Sequence, residues 1–128
     1  MRCLIVDDSA DFADAARRLL ERDGIMVVGV ATASAEALAC VEELRPDVVL
    51  VDVNLGQENG FDLAEELHRS GLAASSPVIL ISTHAEQEFA DLIAASPAIG
   101  FLAKFALTPA AVRDLVCRSV GFEEGDHR

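Results

Sequence analysis

Asp7 and Asp8 stand together at the end of an apolar run, Cys3 to Val6, and Asp52 ends another, Val48 to Val51. Ser82 closes the run Val78 to Ile81, and Lys104 follows the run Ile99 to Ala103. Three ionised carboxylates in contact repel one another and raise at least one pKa unless a cation offsets them. The candidate ligands are hard oxygens, with no nearby His or Cys pair to suggest zinc. Such a set favours Mg²⁺, which takes one or two carboxylates, keeps several waters and binds phosphate oxygens. A metal and a lysine flanking one carboxylate suit phosphoryl transfer, where positioning and charge stabilisation supply most of the catalysis. The carboxylate between them is then a candidate nucleophile, forming an acyl phosphate. Each residue alone has a commonplace alternative: acids at strand ends cap helices or face water, and a lysine or serine there is usually solvated or bonded to backbone. Their joint placement is the specific signal.

Five apolar runs, with Met26 to Val30 as the second, alternate with amphipathic stretches. Phe12, Ala15, Ala16, Leu19 and Leu20 fall at i, i+3, i+4, i+7 and i+8, a complete helix face, and Gly24 suits the left-handed position that ends it. Ser34 is expected to cap a second helix carrying Leu38, Val41 and Leu44, closed by Pro46. Further helices run through Leu63, Ala64 and Leu67, and through Phe89, Leu92 and Ile93. Thr108-Pro109 opens the last, as cap and first residue. Alternating strands and helices predict an α/β fold with a doubly wound parallel sheet, and strands covered on both faces need not alternate in polarity. Ligands bind such sheets beyond the carboxyl ends of the strands. In a 2-1-3-4-5 strand order the first and third strands are neighbours, which brings Asp7, Asp8 and Asp52 to one edge.

The chain has 128 residues, room for one domain. Ten basic residues against 22 acidic ones give a net charge of −12. That balance repels nucleic acid and anionic membranes, so neither is an expected partner. The apolar runs are too short to span a bilayer, and acids stand where a signal peptide needs apolar residues. A cytoplasmic location is expected. Cys3, Cys40 and Cys117 are odd in number and widely spaced, and are expected to be reduced, buried packing residues.

With these residues in place, the sequence resembles the receiver domain of bacterial two-component response regulators. The resemblance covers residues 2–120 and rests on Leu4-Ile5-Val6-Asp7-Asp8-Ser9, Val48 to Leu55, Asn59-Gly60, Ile81-Ser82 and Gly100-Phe101-Leu102-Ala103-Lys104. It implies a flavodoxin-like (βα)5 fold over 1–120, with 121–128 as a polar tail expected to fray. It makes Asp52 the phosphoacceptor and Asp8 a direct Mg²⁺ ligand. Asp7 becomes an acid acting on the metal largely through water, and Asn54 a ligand through its carbonyl. Ser82 and Phe101 match the switch pair, although a buried aromatic on a central strand is equally plain core. Lys104 matches the lysine that pairs with the phosphoryl group. The side chains of Asn54, Thr83 and His84 lie where the family tunes phosphoryl lifetime. The implied donor is a phosphohistidine on a sensor histidine kinase or histidine phosphotransfer protein, and the implied target a downstream protein or output domain. Such a chain is a signalling domain rather than an enzyme on external substrates.

Three positions depart from the family's pattern. Thr83 stands where Ala or Gly is usual and is expected to narrow the entry, or else to bond loop backbone. Phe105 follows Lys104 where many receivers have Pro, so a trans peptide is expected. Gly56 replaces a frequent proline. Phe89 and Phe105 are compatible with either a docking surface or core. Among other classes, a Mg²⁺-dependent aspartyl phosphohydrolase usually carries Asp-x-Asp, and a flavin or nucleotide module needs a Gly- or Ser/Thr-rich loop where Asp7 to Asp11 stand. A receiver acting through protein contacts without phosphorylation would not need the intact acid set and Lys104.

Overall fold

The five apolar runs become the five strands of one parallel sheet. In the computed structural model, which describes residues 1–126, the order along the chain is β1 (Arg2–Val6), α1 (Ala10–Arg22), β2 (Met26–Ala31), α2 (Ser34–Leu44) and β3 (Val48–Asp52). A two-stranded hairpin follows, β4 (Asn54–Leu55) and β5 (Glu58–Asn59), then α3 (Gly60–Arg69), β6 (Val78–Ser82), α4 (Ala90–Ala95), β7 (Gly100–Ala103) and α5 (Pro109–Asp126). The sheet order is β2-β1-β3-β6-β7, which is the expected 2-1-3-4-5 once the separate hairpin is set aside. All neighbours in the sheet are parallel.

Successive residues of the central strands point to opposite faces, and both faces are covered. Leu4, Val6, Val49, Val51 and Leu80 pack with Ala37 and Val41 of α2 and Phe61, Leu63, Ala64 and Leu67 of α3. Cys3, Ile5, Leu50, Ile79 and Ile81 pack on the other side with Ala13, Ala16 and Leu20 of α1 and Val112 of α5. Each fully buried Leu or Ile contributes roughly 1.5–3 kcal/mol from apolar burial. This double covering explains why β3 reads as an unbroken apolar run.

Helix ends follow local chemistry with three corrections. Gly24 takes φ +90° after α1, and Thr108 Oγ1 accepts the Ala111 N–H at 3.0 Å to cap α5. Ser34, however, is the first residue of α2 and not its cap; Ala33 holds that place without a side-chain bond. Two acids act instead: Glu36 Oε1 accepts from Thr32 N, and Glu58 Oε1, from the hairpin, accepts from Ser34 N, both at 2.8 Å. α4 is shorter than its pattern suggests, with Phe89 in a preceding 3₁₀ turn and Leu92 exposed. α5 continues to Asp126, into the stretch read as a polar tail; His127 and Arg128 lie outside the described residues. Cys3 is buried, and burial pushes its thiol up to about 12, but Cys40 is only partly buried and Cys117 is exposed. Cys117 is therefore a surface residue on α5.

Candidate functional site

Strand register brings the chemistry together. Val6 pairs with Val51, Asp52 with Ile81, and Ser82 with Ala103, so residues at or just beyond the carboxyl ends of β1, β3, β6 and β7 share one edge. Asp7 is tied there by its own N–H, which donates to Ala31 O at 2.9 Å. One ligand oxygen from each of Asp7, Asp8 and Asp52 falls within 4.8 Å of the others. Asp7 and Asp52 are buried, and Asp8 faces solvent. Hard oxygens clustered this closely, two of them from buried groups, are a donor set suited to a divalent cation.

Lys104 completes the cluster. Its Nζ lies 2.7 Å from Asp7 Oδ2 and 3.1 Å from Asp52 Oδ2. The Asp7 contact has ion-pair distance without hydrogen-bond alignment, so Asp7 Oδ2 remains a buried oxygen lacking a well-directed donor. The other Asp7 oxygen accepts the Ser9 N–H at 2.8 Å, and Asp52 Oδ1 accepts the Asn54 N–H at 3.1 Å. Burial raises the Asp52 pKa, outweighing the Asn54 N–H and Lys104, while the Asp7 charge pushes it further up. Burial pulls Lys104 down, but its bonds and charge contacts with Asp7 and Asp52 prevail, and its pKa rises.

The hairpin shapes the rim. Gly56 takes φ +66°, a left-handed conformation that favours glycine, and a β-carbon there would lie 3.4 Å from Asp8 Oδ2. Gly60 is packed so tightly that a β-carbon would overlap the Asp52 carbonyl and Val53 Cα. Beside it, Asn59 caps α3 by accepting the Phe61 N–H at 2.7 Å.

Ser82, Thr83, His84 and Phe101 make no hydrogen bond to the three acids. Ser82 Oγ accepts the His84 N–H at 3.0 Å and shares no hydrogen bond with Asp52 or Lys104. Thr83 is exposed, its Oγ1 3.4 Å from His84 Nδ1. Phe101 is buried against Phe89, ring centroids 6.2 Å apart, and Phe89 also meets His84 edge-on at 6.1 Å. Phe89 thus belongs to the core margin, whereas Phe105 is 84% exposed. Among the described residues there is no cis peptide, so Lys104–Phe105 is trans. A cavity of about 500 Å³, lined by Met1, Asp47, Pro77 and Ile99 among others, is at the opposite end of the strands and contains no site residue.

Sequence reasoning passed over three contributors: Ser9, whose N–H holds Asp7; Gly60, against which Asp52 backbone rests; and Phe12, whose ring lies under Lys104. A serine between the acid pair and an amphipathic helix is a readable capping signal. Asn59-Gly60 forms part of the resemblance, but the Gly60 packing and the Phe12 ring contact are long-range and had no local signature.

The fold and site together are a parallel five-stranded sheet with an acid triad and a lysine at its carboxyl edge. The family model for the response regulator receiver domain matches residues 3–116, and the chain belongs to that family. It is 36% identical over 88 residues to a protein-glutamate methylesterase/protein-glutamine glutaminase from Koribacter versatilis, covering 68% of this chain and 23% of that protein. It also resembles the signal receiver domain of NarL from Mycobacterium tuberculosis, with a TM-score of 0.80 and 30% identity over 90% of this chain and 94% of that one. A third relative is a response regulator protein from Burkholderia pseudomallei, crystallised with a phosphorylated aspartic acid, calcium ion and citrate. That match has a TM-score of 0.78 and 25% identity, covering 98% of this chain and 72% of that one. The chain spans 19% to 49% of the length of several curated relatives that it matches. The family assigns a two-component phosphoacceptor signalling role. No described helix is long and apolar enough to cross a membrane.

Proposed function

We propose that this chain takes a phosphoryl group onto Asp52 from a phosphohistidine of a sensor histidine kinase or histidine phosphotransfer protein, in the cytoplasm. One observation carries the assignment. Of the three acids, Asp8 has no lysine and the Asp7 side chain is fully enclosed, whereas Asp52 has both the lysine and an 8% exposed side chain. In the transfer, an Asp52 oxygen bonds to phosphorus while the donor's phosphorus–nitrogen bond breaks and the imidazole keeps the electron pair. Water later cleaves the acyl phosphate, returning the carboxylate and inorganic phosphate.

The donor set fits Mg²⁺, held by Asp7, Asp8 and Asp52 with the Asn54 carbonyl. When bound, the metal neutralises charge on the phosphoryl oxygens. The phosphorylated aspartic acid and calcium ion of the Burkholderia relative support both the acceptor type and a divalent cation. Lys104, with its Nζ 3.1 Å from Asp52 Oδ2, would contribute a second positive charge.

In this reading Ser82 and Phe101 form the readout. To reach a phosphoryl group, Ser82 gives up the His84 N–H that it now accepts. His84 rests on Phe89 and Phe89 on Phe101, so the change passes into the α4–β7–α5 face. A downstream protein or output domain reads that face, and Asn54, Thr83 and His84 set how long the signal lasts. Residues 1–120 form the working unit, without direct contact to nucleic acid or membrane, and any wider activity belongs to the downstream protein or output domain.

Incubation with acetyl phosphate and Mg²⁺ tests the reading. Base-labile phosphate should be incorporated by the wild type and lost in Asp52→Asn. Equal incorporation by the variant would remove Asp52 from its role.

A further inference from the structure

The Lys104 Nζ lies 4.2 Å from the centre of the Phe12 ring, a cation–π contact. The Phe12 backbone is tied to the same cluster. Its N–H donates to Ser9 Oγ at 3.3 Å, the Ser9 N–H donates to Asp7 Oδ1 at 2.8 Å, and Lys104 returns to Asp7 Oδ2 at 2.7 Å. The four residues form a closed circuit from β1 through the first turn of α1 to the end of β7. The partly buried ring also packs on the apolar layer between the sheet and α1.

We infer that Phe12 is a positioning residue for Lys104, its ring face holding the ammonium where it can meet a phosphoryl group on Asp52. The inference rests on the phosphoacceptor reading. A lysine head is a compact charge on a flexible four-carbon stem, with three donors that can turn in any direction. Two carboxylates restrain it from one side; the ring replaces water on another and restricts where the stem can settle. A leucine at position 12 would keep the apolar packing but offer no quadrupole to the charge. A tyrosine would keep the ring.

The experiment compares wild type, Phe12→Leu and Phe12→Tyr by NMR of the Lys104 ε-methylene and by titration with beryllofluoride and Mg²⁺, with thermal melts of each. The ring current should shift the Lys104 ε-protons upfield in wild type and Phe12→Tyr, and Phe12→Leu should lose that shift. Beryllofluoride affinity should fall about three- to tenfold in Phe12→Leu and recover in Phe12→Tyr, from the usual strength of a partly desolvated cation–π contact. An unshifted Lys104 in wild type would overturn the contact. Equal affinity in all three proteins, with the shift lost only in the leucine variant, would overturn the positioning role. If wild type binds no beryllofluoride at all, the phosphoacceptor reading has failed and this inference falls with it. If Phe12→Leu melts far below wild type, Phe12→Tyr decides: affinity left low beside a restored melting temperature overturns the role.

Discussion

The Lys104 ammonium stands 2.7 Å from the fully buried carboxylate of Asp7, and it is the one cation paired with that carboxylate among the described residues. Removing one partner of a buried pair leaves an uncompensated charge, at a cost of about 3–5 kcal/mol. Lys104→Met should therefore lower stability by about that amount in chelator. Asp7→Asn in the same background should recover much of it, because the orphaned charge is then gone. Since the Lys104 pKa is raised, its stabilising share is complete below the ordinary lysine range and lost only as pH climbs through the raised value. Urea melts of the four proteins in a double-mutant cycle measure the coupling, and strictly additive losses would argue against the pairing.

Asp52 is shifted in the same direction, with the opposite consequence at neutral pH. Its pKa is raised chiefly by burial, so the folded protein holds this proton more firmly than the unfolded chain does. That contribution is fully present below the ordinary aspartate pKa and disappears as pH rises through the folded value. At neutral pH the ionised Asp52 thus weakens the fold, and Asp52→Asn should raise Tm by about 3–6 °C per kcal/mol relieved. The gain should shrink toward acid pH and with added Mg²⁺. A variant less stable than wild type at pH 7 without metal would contradict this.

Gly60 gives a test of the scaffold. A β-carbon there collides with the Asp52 carbonyl, so Gly60→Ala must displace the end of β3 or the start of α3. A loss of roughly 1–3 kcal/mol is expected from such overpacking, together with weaker Mg²⁺ binding. Denaturant melts and a metal titration check both, and an unaltered protein would mean that the backbone yields easily.

Thr83 is exposed beside His84, next to Ser82 and within the loop that follows β6. Its β-branched side chain has restricted χ1 and moves aside poorly. Thr83→Ala should speed both loading by acetyl phosphate and decay of the phosphorylated form, with less effect on transfer from a docked kinase. Unchanged rates in both assays would leave Thr83 as a loop residue.

Much of this architecture was legible along the chain because strands buried on both faces leave contiguous apolar runs. Asp7, Asp8, Asp52 and Lys104 were readable for the same reason: each stands at or just after the end of such a run. Where distant elements meet, the chain gave less. Ser34 looked like the cap of α2, yet Glu58 serves its N–H from 24 residues away. Leu92 matched a helical face, but α4 is too short to bury it. Phe12 read as one more residue on an apolar stripe; only the return of β7 sets Lys104 above its ring.

The most direct measurement is chemical trapping of the phosphorylated residue. Borohydride reduces an aspartyl phosphate to homoserine, and peptide mapping then locates it. After loading with acetyl phosphate and Mg²⁺, homoserine should appear at position 52 alone, and disappear when Mg²⁺ is chelated beforehand. Homoserine at position 7 or 8, or none at position 52 in protein that has incorporated phosphate, would contradict the account.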